Sequence, residues 1–105
     1  MFSSDDRAFM KVALDLAIEA EQNQEVPVGA IIVKDNEIIG KGRNKIIFDQ
    51  DVSSHAEIVA IRDASKNISN YRLNNCKMYV TLEPCHMCAK AIIDARIDEV
   101  VFAAC

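Results

Sequence analysis

Apolar residues are spaced in two ways along the chain, and the alternation between them predicts its elements. In residues 4–23, Phe9, Val12, Ala13, Leu16, Ala17 and Ala20 return every three or four positions, which predicts a helix with one apolar stripe. Ser4 is its expected cap, and Asp5 and Asp6 suit the positive end of its dipole. Residues 28–34 and 38–43 read as two strands joined at Asp35-Asn36. Residues 44–54 are polar and predicted to be irregular. A second helix is expected over residues 55–66 with Ser53 or Ser54 as cap, and a third strand over residues 77–82. Pro84 fits the first position of a third helix, where its missing N–H costs nothing; that helix carries Ala91, Ile92 and Ala95 and ends near Arg96. Residues 99–103 begin a fourth strand. Strands alternating with helices after residue 55 predict parallel pairing and an α/β layered fold.

A chain of 105 residues suits one domain, residues 1–105. With Trp absent and few aromatics, Val, Ile, Leu and Ala must fill its core. No repeat, low-complexity run or linker interrupts it. The apolar strand at the very end leaves little to cover it, so the sequence reads as cut short on the C-terminal side. Asp5 and Asp6 stand where a secretory signal needs positive charge, and no segment approaches the roughly 20 apolar residues of a membrane span. A cytoplasmic location is the default. In a reducing compartment the four cysteines are expected to be metal ligands or free thiols. A net charge of -4 leans against nucleic acid as a partner, and a basic patch could only be local, built from residues such as Lys41, Arg43, Lys45, Arg72 and Lys90.

Two helix starts carry the candidate chemistry. Cys85 and Cys88 are three apart, so on a helix they share a face and can share a metal. A helix N-terminus also favours thiolate, the form that binds zinc. By itself the pair divides about evenly among a redox couple, half of a structural zinc site and a catalytic metal site. His55-Ala56-Glu57 at the other helix start shifts the balance to catalytic zinc. His55 then supplies the third ligand if the two starts lie side by side, and a fourth position is left for water. Glu57, two residues from a ligand, is placed to move protons beside the metal without binding it. Asn44 read alone is a turn residue. His86 is expected to point away from the metal, Cys76 to be a small core residue and Cys105 a terminal thiol.

His55-Ala56-Glu57 followed by Pro84-Cys85-x-x-Cys88 resembles the signature of the cytidine/deoxycytidylate deaminase superfamily. Within it, Glu25-Val-Pro-Val-Gly-Ala30, His55-Ala-Glu-Ile58, Asn70-Tyr-Arg-Leu73 and Tyr79-Val-Thr-Leu-Glu-Pro-Cys85 resemble segments of the bacterial tRNA-specific adenosine deaminases, in the same order. The resemblance implies a three-layer α/β/α sandwich with a mixed central sheet, lacking the last strand and C-terminal helices. It further implies zinc-dependent conversion of a tRNA wobble adenosine to inosine by a homodimer, with Asn44 bonded to the target base and the Ala56 backbone against it. Ile46 stands where that family commonly has proline. A free-base or nucleoside deaminase acting on guanine or cytosine, and an inactive zinc-stabilised subunit, are the competing expectations.

Overall fold

The computed structural model describes residues 3–103, so the terminal thiol expected at Cys105 lies outside the described residues. Helix α1 (Ser4–Gln22) leads to the hairpin β1 (Gly29–Lys34) and β2 (Glu37–Arg43); a short helix α2 (Ile46–Asp49) and helix α3 (Ala56–Ile68) follow. The chain continues through β3 (Lys77–Val80), α4 (His86–Asp94) and β4 (Glu99–Phe102). The sheet order is β2-β1-β3-β4. β1 is antiparallel to both β2 and β3, while β3 and β4 run parallel. The sheet is therefore mixed, as expected, and parallel pairing holds where a helix crosses between β3 and β4.

Burial on both faces of the sheet makes three layers. On one face, Met10 and Ala13 of α1 pack on Ile31, Val33 and Tyr79. On the other, Ala56, Ala60 and Ala64 of α3 and Ile92 of α4 pack on Ala30, Ile32, Met78 and Val80. The alternation of Ile31 and Ile32 between the two clusters is the period-two rule of a strand covered on both faces. Small residues on α3 allow close approach, and Gly42 allows more: a Cβ there would stand 2.3 Å from the Ala56 carbonyl oxygen. Between β1 and β2, Asp35 and Asn36 both have positive φ, the geometry of a two-residue hairpin turn that matches the strand twist.

Four local expectations need correction. The cap of α1 is Ser3, whose hydroxyl accepts from Asp6 N–H while the Asp6 carboxylate accepts from Ser3 N–H; this reciprocal pair starts the helix one residue earlier than Ser4 as cap would. Neither Ser53 nor Ser54 caps α3. Their hydroxyls bond Asp51 and Asp49, and the N-cap residue is His55. Pro84 does not open α4. Cys85, extended at φ -73° and ψ 176°, is the N-cap, so helical geometry begins only at His86 and the proline instead stiffens the approach. Finally, residues 44–54 are not irregular throughout, because α2 forms within them. Among the described residues, no helix is long and apolar enough to cross a membrane.

Candidate metal and base-binding site

The site lies where α3 and α4 begin. Each helix has an extended N-cap residue whose side chain makes no capping bond: His55 for α3 and Cys85 for α4. Those side chains turn toward one another instead. His55 Nδ1 lies 3.7 Å from Cys85 Sγ and 3.5 Å from Cys88 Sγ, and all three donor atoms lie within 4.8 Å of one another. A tetrahedral zinc ion with ordinary Zn–N and Zn–S bonds sets its nitrogen and sulfur ligands roughly 3.6 Å apart. One imidazole and two thiols at these separations therefore fit zinc, with one coordination position left open.

Burial is graded across the triangle: Cys88 is buried, His55 is half-buried and Cys85 is exposed. Burial first, and then the nearby Glu57 carboxylate, push the Cys88 thiol well above the ordinary cysteine range. For Cys88 this outweighs the help expected from the helix N-terminus, whereas a coordinating dication reverses it and deprotonates the thiol. Glu57 is itself only 4% exposed. His86 is exposed and stands outside the donor group, and Cys76 is buried in the core; both match expectation.

A cavity of about 260 Å³ opens beside the triangle, and His55, Glu57, Cys85, Asn44, Ile46 and Val28 are among the residues that line it. Asn44, buried just after β2, accepts a 2.7 Å hydrogen bond through Oδ1 from the Ala56 N–H. That bond satisfies a free N–H at the start of α3 and fixes Asn44 against the helix. Asn44 is thus far more than a turn residue, and it joins Ala56, His55 and Glu57 as one group.

Glu25 has no role among the sequence expectations beyond its place in the Glu25-Val-Pro-Val-Gly-Ala30 segment. Its buried carboxylate accepts from the backbone N–H groups of Ile47 and Phe48. No spacing signal reveals this, because the partners are main-chain groups 22 and 23 residues away. The basic residues proposed for a local patch are partly committed. Arg43 pairs with Glu19 and Lys90 with Asp94, while Lys45 stands over the exposed Phe48 ring.

Comparison with known proteins agrees with this geometry. Residues 3–104 match the family described as the cytidine and deoxycytidylate deaminase zinc-binding region. The chain is 53% identical over 104 residues to the tRNA-specific adenosine deaminase of Buchnera aphidicola subsp. Schizaphis graminum, covering 99% of this chain and 69% of that protein. It spans 58%, 61% and 64% of the length of three further relatives of the same description. A solved structure from work on A-to-I editing by tRNA:A34 deaminases superposes with a TM-score of 0.92 at 43% identity, covering 93% of this chain and 75% of that one. The guanine deaminase of Bacillus subtilis superposes with a TM-score of 0.90 at 42% identity, covering 93% and 63%. The chain shares its fold with these two solved structures and belongs to the cytidine and deoxycytidylate deaminase zinc-binding family.

Proposed function

We propose that this protein is a zinc-dependent hydrolytic deaminase that converts the wobble adenosine of a tRNA anticodon to inosine. The observation that carries the reading is the His55, Cys85 and Cys88 triangle with buried Glu57 beside it, opening on a cavity. His55, Cys85 and Cys88 hold the metal. When bound, zinc supplies a Lewis acid that lowers the pKa of water toward neutrality. Glu57 accepts one proton from water as it adds to the amidine carbon of the base and passes it to the ring nitrogen. It then takes the second from the newly added hydroxyl and passes it to the amine, so that the C–N bond breaks, a carbonyl forms and ammonia leaves. Asn44 has committed Oδ1 to Ala56, so its side-chain N–H₂ is the group it offers to the base. The Ala56 backbone lies against the same base.

Adenosine in tRNA is favoured by the 53% identity to an enzyme of that description and the 43% identity to a tRNA:A34 deaminase structure. The runner-up is a free-base deaminase, favoured by the guanine deaminase at 42% identity and by the net charge of -4. The test is inosine formation on an anticodon hairpin beside ammonia release from free guanine, adenine and cytosine. Inosine on the hairpin supports the reading; activity on free bases with none on the hairpin overturns it. A homodimer in the cytoplasm completes the proposal. Exposed apolar side chains such as Phe48, Val52 and Ile93 leave surface for a second copy, and light scattering reads its mass.

A further inference from the structure

Glu25 is a buried carboxylate that the deamination chemistry does not use. We infer that Glu25 is a positioning residue for the substrate base: its carboxylate sets where the first turn of α2 lies, and with it the place of Ile46 on the cavity wall beside Asn44. The inference rests on the deaminase reading and adds to it a residue that acts through others.

The geometry begins at the end of α1. Gln24 turns the chain at φ 62°, and Glu25 N–H returns to the Ala20 carbonyl at 3.0 Å, which aims the side chain across the molecule. The carboxylate then accepts from Ile47 N–H at 3.2 and 3.1 Å and from Phe48 N–H at 2.9 Å. Helix α2 has only four residues, and its N-cap residue Lys45 makes no side-chain cap. A helix that short does not hold itself, and its first N–H groups have no partner within it. Glu25 accepts from two of them, Ile47 and Phe48 N–H, through hydrogen bonds strengthened by its charge. The same bonds are what make a buried carboxylate tolerable.

The consequence for the site follows from chain continuity. Val26 and Val28, next after Glu25, line the cavity, and so do Asn44 and Ile46, just before the N–H groups that Glu25 holds. Asn44 N–H also donates to the Val28 carbonyl at 3.2 Å. The carboxylate and this backbone bond are two ties between the two segments that face the base. Without the carboxylate, the bond at Val28 still joins them, and Lys45 N–H on the Ser54 carbonyl still holds the chain before α2. Ile47 and Phe48 N–H lose their acceptor, however, and the first turn of α2 loosens. An error of an ångström in such a wall lowers productive binding while leaving the metal ligands on α3 and α4 untouched.

Replacing Glu25 with Gln tests this in the zinc-loaded full chain. The amide keeps the volume but sets an N–H₂ group against a backbone N–H. Glu25→Gln is expected to speed hydrogen exchange at the Ile47 and Phe48 amides and to raise KM for an anticodon hairpin roughly tenfold. Zinc per chain and kcat stay within about twofold. Glu25→Asp keeps the charge but withdraws the carboxylate, and serves the same test if the Gln variant does not fold. Faster exchange at those amides with an unchanged KM overturns the inference, as does a fall in kcat at constant KM, which reports lost folded fraction. A parent protein inactive on both hairpin and free bases overturns the deaminase reading and this inference together. An active parent without the KM effect overturns the inference alone.

Discussion

The two faces of the sheet begin their helices differently. On one face, α1 opens with the reciprocal Ser3 and Asp6 pair, and its end of the sheet is further tied by Tyr79 O–H and Lys77 to the Asp6 carboxylate. On the other, α3 and α4 open with His55 and Cys85, neither of which caps its own helix. A side chain that satisfies a helix terminus is spent on stability. One left free at the same place can turn to a ligand. The α1 face is built to hold the sheet, while the opposite face accepts less perfect helix starts so that a nitrogen and two sulfurs meet within 4.8 Å. Asn44 is the compromise between the two designs, stabilising the start of α3 from outside and lining the cavity with the same side chain.

Breaking the functional face should give the largest effect. Glu57→Gln is expected to lower kcat by about a thousandfold, within the usual range for losing a proton-transfer group, while zinc per chain is unchanged. Loss of zinc in that variant would show that the carboxylate belongs to the metal site itself. Next, Cys88→Ala removes a ligand and should abolish stoichiometric zinc binding, read by metal analysis. The apo and variant proteins should then share a lower melting temperature, since binding that favours the folded state by a thousandfold excess over Kd contributes about 4 kcal/mol.

Gly42→Ala strikes the packing that brings the functional face to the sheet. Its methyl group would meet backbone atoms of Ala56 and Ala60 at 2.3 and 2.4 Å, where no side-chain rotation relieves the overlap. A loss of about 2–3 kcal/mol by denaturant titration is expected, with activity falling because Ala56 and Glu57 move. A smaller effect is expected on the structural face. Ser3→Ala should cost about 1 kcal/mol and leave kcat and KM unchanged, and a change in either would show that the faces are coupled.

The finest test of the comparison is pH. The hydrogen bond from Tyr79, helped by Ser3 N–H and Lys77, holds the Asp6 carboxyl down to about 2. A carboxyl depressed in the folded state stabilises fully above its unfolded value near 4, and that contribution is lost as pH falls through about 2. Asp6→Asn should therefore flatten the acid limb of the stability curve between those values and leave the neutral pH–rate profile as it was.

The elements were legible because their signals are local. The apolar stripe of α1 needs only the helix period, β1 is a short unbroken apolar run, and Asp35-Asn36 announces its turn by residue type. The donor set was legible because residues three apart on a helix face one way, and because two thiols and an imidazole are the chemistry zinc takes. Helix α2 was hidden because residues 44–54 have no apolar period of their own, and its first N–H groups are satisfied by a carboxylate far back in the chain. The caps were misplaced by one or two residues because several of Ser3, Ser4, Ser53 and Ser54 could serve, and only the packing of each helix chose.

By itself, then, the sequence determined the periods and the order of elements, which depend on neighbours within a few residues, and offered His55, Glu57, Cys85 and Cys88 as candidates through two short motifs taken together. The tertiary structure alone decided that β1 runs antiparallel to β3, that Asn44 meets Ala56, and that Glu25 reaches α2. Those contacts depend on how the layers pack, since each joins residues from separate elements and none has a spacing along the chain to betray it.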